Sequence, residues 1–228
     1  SIGEYRWDPA ADGNLAVIGG TVEERSEVLT TLAVAVATRY SPREVLTYVV
    51  DAGARHPGEQ GALEAAAVMR NCAASASLDD PDRVIRLLGH VAAEVERRSM
   101  LEDAAELPQL VLLVNELGSL LRDFDLAGDA ELVHGLLDSI TEIGPAWGVT
   151  AVIAAAGESG PSAAVLHSFP RRVVLSLDDP SEYRALDIEW MRVPSSVSGR
   201  AIRLPDKVEV QIATVGEAPL PEALADDE

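Results

Sequence analysis

The chain has 228 residues, of which 47% are hydrophobic and only 4% aromatic, so it can build one large α/β domain with a core of Ala, Val and Leu. The formal net charge is −20 and Lys207 is the only lysine, which leaves no dense positive track for a phosphate backbone and argues against DNA binding by this module alone. Cys72 is the only cysteine, which excludes an internal disulfide, and no run of about 18 apolar residues is free of charge, so no transmembrane helix is read.

From the N-terminus, Ser1 to Trp7 lacks the basic, apolar and small-residue order of a signal peptide and has no initiator Met. It reads as the start of a fragment cut from a longer chain, or of a processed one, and the single cysteine fits a cytosolic setting. After a turn at Asp12-Gly13, the short apolar run Leu15-Ala16-Val17-Ile18 predicts a buried strand. The pair Gly19-Gly20 follows, and an Ala-rich stretch from Ser26 to Tyr40 predicts a helix that stops before Ser41-Pro42. Val45 to Asp51 is a β-branched strand, and Gly53 to Gly61 a loop. Leu63 to Met69 reads as a short helix. Asp79-Asp80-Pro81 opens a longer one, with Val84, Leu87, Leu88, Val91 and Val95 as its apolar stripe through to Met100.

Leu110 to Val114 is a fully apolar strand, Leu132 to Ile143 a helix stopped by Gly144-Pro145, and Val149 to Ala154 another strand. A helix over Ser162 to Ser168, a strand over Val173 to Leu177, and a short helix opened by Asp179-Pro180 complete the alternation. Ala201 to Leu204 and Val208 to Ala213 predict a closing hairpin. Residues 1–213 thus form one domain, and the acidic, Pro-rich residues 214–228 are expected to be disordered. Strands that alternate with helices and are apolar throughout predict a largely parallel sheet covered on both faces. Ligands bind such sheets beyond the carboxyl ends of the strands, here after Ile18, Val50, Val114 and Ala154.

The segment between the first strand and helix has the length of a P-loop, G-x-x-x-x-G-K-[ST]. It reads Gly19-Gly20-Thr21-Val22-Glu23-Glu24-Arg25-Ser26. Gly19 and Ser26 keep their places, but Glu24 stands where the second glycine lets backbone N–H groups approach phosphate. Two like charges about 4 Å apart repel by about 4 kcal/mol at an effective dielectric near 20, and Glu23 adds another carboxylate. Arg25 keeps the positive charge of the lysine but not its compact shape.

A Walker B strand ends in Asp, often followed by Glu; here Leu110 to Val114 ends in Asn115-Glu116, and Asn115 lacks the charge a hard cation prefers. Ala154-Ala155-Ala156-Gly157 after the later strand offers no polar side chain to sense a γ-phosphate. The cofactor-binding candidates are Gly19, Gly20, Thr21, Arg25 and Ser26, and the catalytic ones Asn115 and Glu116, all as vestiges. Taken alone, a Gly-Gly turn and an Asn-Glu pair also fit an ordinary strand-to-helix fold. The scattered His56, His90, His134 and His167 have no metal-ligand spacing, and no metal ligand is assigned.

The order of these segments resembles the FtsK/SpoIIIE branch of the RecA-like P-loop ATPases, and within it the tandem modules of type VII secretion ATPases (EccC, EssC). The family's loop "GGTGSGKSELLRTL" aligns with Gly19 to Leu32, "SPEEV" with Ser41 to Val45, and "EMERR" with Glu94 to Arg98. "LPxLxVVVDE" aligns with Leu107 to Glu116, "LGVHLILA" with Trp147 to Ala154, "FPxRI" with the segment from Phe169, and "PPGRA" loosely with Val197 to Ala201. The resemblance implies a RecA-like α/β fold with a C-terminal β-hairpin. Its departures fall at Glu23, Glu24, Arg25, Asn115 and Ala156, which implies a module with no bound cofactor or only weak ATP/Mg2+.

It also implies partners: adjacent ATPase modules of the same or neighbouring chains, a small secreted helical protein as substrate, and contact with a membrane only through other parts of a full-length protein. The competing function is a module of an FtsK-like DNA translocase with residual ATP binding. An active ATPase using Arg25 and Glu116 is the third reading. Arg171 and Arg172 fit either an arginine finger aimed at a neighbour's nucleotide or a strand start with solvated charges.

Overall fold

The computed structural model describes residues 6–53, 61–101, 106–158, 160, 162–189, 199–213 and 215. An eight-stranded sheet runs β3-β2-β4-β5-β1-β6-β7-β8. Its strands are β1 (Leu15–Ile18), β2 (Val45–Asp51), β3 (Cys72–Ser77), β4 (Gln109–Asn115), β5 (Val149–Ala155), β6 (Arg171–Val174), β7 (Arg200–Leu204) and β8 (Val208–Gln211). From β3 to β6 every neighbouring pair is parallel, and β7 and β8 close the sheet as an antiparallel hairpin.

Both faces are covered, as the unbroken apolar strands require. The short helix α1 (Pro9–Asp12) leads into β1. On one face α2 (Val22–Arg39) and α3 (Glu64–Ala67) share a core with Leu15, Val17, Val49, Val111, Leu113 and Val152. On the other, α4 (Pro81–Ser99), α5 (Leu117–Ala127) and α6 (Ala130–Asp138) pack on Ile18, Val50, Leu112, Val114 and Ile153. The short helices α7 (Ser162–Leu166) and α8 (Pro180–Ala185) flank β6. With apolar residues pointing both ways, an in/out alternation cannot set strand register. Polar residues at the strand ends mark it instead: Asp51 and Asn115 pair at the carboxyl ends of β2 and β4.

Helix α4 begins as its sequence predicts, with the Asp80 carboxylate accepting from the Arg83 N–H and Pro81 in the first turn. Its far end is fixed by Arg98, which is 2% exposed. The guanidinium donates to Glu94 Oε1 (2.8 Å) and to the carbonyls of Pro108 (2.9 Å), Trp147 (3.2 Å) and Gly148 (3.3 Å), which lie at the amino ends of β4 and β5.

Some elements differ from the sequence expectation. Helix α2 starts at Val22, four residues before Ser26, because Thr21 caps it. Cys72–Ser77 is a strand the sequence does not announce: its small residues have little β-propensity, and pairing along β2 supplies the order. Helix α5 goes unread because it follows the β4 strand without a capping side chain, although Leu117, Leu120, Leu121 and Phe124 carry the helical spacing. The strand expected over 173–177 spans Arg171–Val174, and α6 continues into a π-turn over Ser139–Ile143 before the Gly144–Trp147 turn. The expected disordered tail lies outside the described residues, Val215 apart. Among the described helices none is long and apolar enough to cross a membrane.

Candidate nucleotide site

The carboxyl ends of β1, β2 and β4 bring Gly19, Gly20, Thr21, Arg25, Ser26, Asp51, Asn115 and Glu116 to one place. Gly19 (φ +83°) and Gly20 (φ +67°) turn the chain through a backbone region that side chains disfavour. A Cβ on Gly19 would lie 2.7 Å from both the Ser176 carbonyl oxygen and Leu177 Cδ2. Gly19→Ala should therefore cost about 2–4 kcal/mol, from left-handed strain plus an overpacked backbone contact. Urea unfolding monitored by circular dichroism would show it as a lower midpoint with an unchanged slope.

A phosphate cradle works by pointing free N–H groups at the anion. Here the N–H groups of Gly19, Gly20, Thr21, Glu24 and Arg25 are used inside the protein. The N–H of Gly19 donates to the Ala155 carbonyl (3.0 Å) and that of Gly20 to the Ser176 carbonyl (2.6 Å). The Thr21 N–H donates to Glu24 Oε2 (3.0 Å), and the Glu24 N–H returns to Thr21 Oγ1 (3.2 Å), a reciprocal capping box. The Arg25 N–H donates to the Thr21 carbonyl at 3.1 Å, in the helical pattern. The Glu23 carboxyl is held below the usual carboxylate range by hydrogen bonds with its own backbone N–H first and with the Thr21 side chain next. Two carboxylates thus sit at the positive end of α2, where the helix dipole would otherwise favour a bound anion.

The space in front is filled by Arg25, 3% exposed. Its Nη1 donates to the carbonyls of Gly19 (2.9 Å) and Gly20 (2.6 Å), and its Nε and Nη2 each lie 2.7 Å from Glu116 Oε1. The positive charge therefore points at carbonyl oxygens and a carboxylate of the same chain. Glu116 adopts a left-handed backbone (φ 57°, ψ 56°) at the β4–α5 junction.

Ser26, 5% exposed, donates its hydroxyl to the Val22 carbonyl at 2.8 Å. Asn115, fully buried, donates from Nδ2 to Ser26 Oγ (3.2 Å) and to Asp51 Oδ1 (3.1 Å). Asp51 was not among the candidate site residues. The signal was present, since it ends an apolar strand just as Asn115 does. The residues do not fit Mg2+-ATP as arranged: the N–H groups of Gly19, Gly20, Thr21, Glu24 and Arg25 are spent, a guanidinium fills the cradle, and an amide holds the place of the cation-binding carboxylate.

Arg171 and Arg172 lie elsewhere, level with Leu15 and Ala16 at the opposite end of β1. Arg172 is 2.8 Å from Glu158 Oε1 and donates to the Leu166 carbonyl at 3.1 Å, while Arg171 pairs with Asp12 at 3.2 Å. These internal partners favour the plain structural reading over an arginine finger.

The FtsK/SpoIIIE family model matches residues 4–204. No curated protein matches the chain by sequence. EssC (ATPases 2 and 3) from Geobacillus thermodenitrificans superposes with a TM-score of 0.71 at 20% identity, over 94% of this chain and 42% of that one. Thermomonospora curvata EccC (ATPases 2 and 3), in complex with a signal sequence peptide, gives 0.70 at 23% identity, over 96% and 41%. The pCW3 conjugation coupling protein TcpA with ATPγS gives 0.67 at 17% identity, over 92% and 62%. This chain therefore spans about two fifths of the two tandem-ATPase structures and less than two thirds of the third.

Proposed function

Because this chain belongs to the FtsK/SpoIIIE family and has the RecA-like fold of its relatives, we propose that it is a non-hydrolysing module of a multi-domain translocation motor, with a regulatory or substrate-docking role in type VII protein secretion. The observation that carries this reading is Arg25 inside its own phosphate loop, bonded to Gly19, Gly20 and Glu116. A nucleotide would have to expel a buried, paired guanidinium and also break the Thr21–Glu24 box. The likeness to tandem-ATPase structures supports a place among adjacent modules, and the signal sequence peptide in one of them supports a protein substrate, for which a small helical protein is proposed. A cleft of about 510 Å3, lined by Trp7, Val28, Leu32, Tyr40, Val210 and Ile212 among others, has the apolar chemistry that accepts such a helix face.

Phosphate release from Mg2+-ATP tests the reading directly. The unmodified chain and its Glu116→Gln variant should release phosphate at the same background rate, because neither activates water. Turnover that falls on replacing Glu116 would overturn it. The DNA-translocase alternative is disfavoured by the net charge of −20, and salt-sensitive DNA binding would revive it.

A further inference from the structure

Asn115 does something that a merely absent Walker B aspartate would not. Asp51 is 5% exposed, and its carboxylate accepts from the Gly53 N–H (3.0 Å) and Asn115 Nδ2 on Oδ1 (3.1 Å), and from the Leu63 N–H on Oδ2 (2.9 Å). The same Asn115 Nδ2 reaches Ser26 Oγ in the first turns of α2. One amide thus joins three elements: the end of β2, the end of β4 and the start of α2. Its Oδ1 finds no donor among the described residues. That cost is forced, because reversing the amide would set its oxygen against the Asp51 carboxylate.

A carboxylate at position 115 would lie about 3 Å from that of Asp51, and two carboxylates so close cannot both stay ionised without a cation or a shared proton. We propose that Asn115 is a permanent substitute for a divalent cation: its N–H2 group latches Asp51 to Ser26 and fixes the site in one metal-independent arrangement. The proposal rests on the reading above only in treating the site as one that loads no Mg2+. Among the described residues, the charged groups facing position 115 are Asp51 from β2, the adjoining Glu116, and Arg25 from α2. Arg25 is already committed to Glu116, so among the described residues a new carboxylate would have Asp51 as its close partner.

Thermal unfolding of three chains tests the latch, each alone, with millimolar MnCl2, and on acidification to about pH 5, near the carboxylate range. The unmodified chain should not respond to Mn2+. Asn115→Asp should melt several degrees lower at neutral pH and recover with Mn2+ or acid. The sign follows from its raised carboxyl pKa: the folded state then binds more protons than the unfolded one, so stability falls as pH rises. Asn115→Leu should also melt lower but recover with neither. If Asn115→Asp folds only in acid or with Mn2+, the result is the same. An Asn115→Asp chain as stable as the original without metal at neutral pH, or an original chain stabilised by Mn2+ alone, overturns the latch. Stabilisation of the original chain by ATP without metal would instead count against the proposed function and leave the latch standing.

Discussion

Replacing Arg25 by alanine should lower stability by about 3 kcal/mol or more, the cost of leaving one partner of a buried ion pair uncompensated. Glu116 keeps its burial, with a side chain only 13% exposed, and the carbonyls of Gly19 and Gly20 lose their shared donor. For a domain of this size each kcal/mol moves the melting temperature by about 2–4 °C, so the drop should be about 6–12 °C. Arg25→Lys should recover only part, since an ammonium keeps the charge but cannot fork between Glu116 and two carbonyls. Pairing Arg25→Ala with Glu116→Gln should restore the share due to the stranded carboxylate and leave the share due to the carbonyls. A double-mutant cycle read by urea unfolding measures that coupling. An Arg25→Ala chain of unchanged stability would mean that the guanidinium is not anchored in the loop.

The second large effect is expected far from the loop. Arg98→Met keeps the buried stem of the side chain but removes the donors to Pro108, Trp147 and Gly148 and one of the donors to Glu94. The Pro108 and Trp147 carbonyls then lose their donor, while that of Gly148 keeps the Leu110 N–H (2.9 Å). Buried acceptors without a donor cost about 1–3 kcal/mol each before relaxation, so a loss of about 3 kcal/mol is expected. Its pH dependence is specific. Hydrogen bonds from Arg97 first, and from Arg98 after it, hold the Glu94 carboxyl down at about 2 against an ordinary value of 4.5. A depressed carboxyl stabilises the fold above its unfolded pKa and loses that contribution as pH falls toward the folded one. The gap between the original chain and Arg98→Met should therefore narrow between pH 4.5 and about 2. Denaturant titrations at stepped pH would measure it, and a gap constant across that window would show that Glu94 is not part of the cost.

Much of this was legible in the residues. Apolar strands on both faces, with helices between them, imply a parallel sheet, and the sheet is there from β3 to β6. Position pointed to where the candidate residues gather, because loops beyond the carboxyl ends are where such sheets bind ligands. What Glu24 and Arg25 do there was not legible. In sequence Glu24 reads as repulsive toward phosphate; in the structure it is also attractive, since its carboxylate completes the capping box with Thr21 and lets α2 begin early. Likewise Arg25 reads as a poor lysine in sequence, whereas its length lets it turn back on Gly19, Gly20 and Glu116. Contacts between residues 91 positions apart, such as Arg25 and Glu116, follow from strand order and register, which periodicity does not encode. The β3 strand was missed for a related reason, because its order comes from its partner rather than from its own Ala and Ser residues.

The claim that joins these points is that the site is occupied by the protein itself. Calorimetric titration of Mg2+-ATP into the purified chain tests it most directly. The expected result is no heat beyond dilution, because the N–H groups of Gly19, Gly20, Thr21, Glu24 and Arg25 and the loop's positive charge are already satisfied within the chain. Saturable micromolar binding, with one nucleotide per chain, would contradict it.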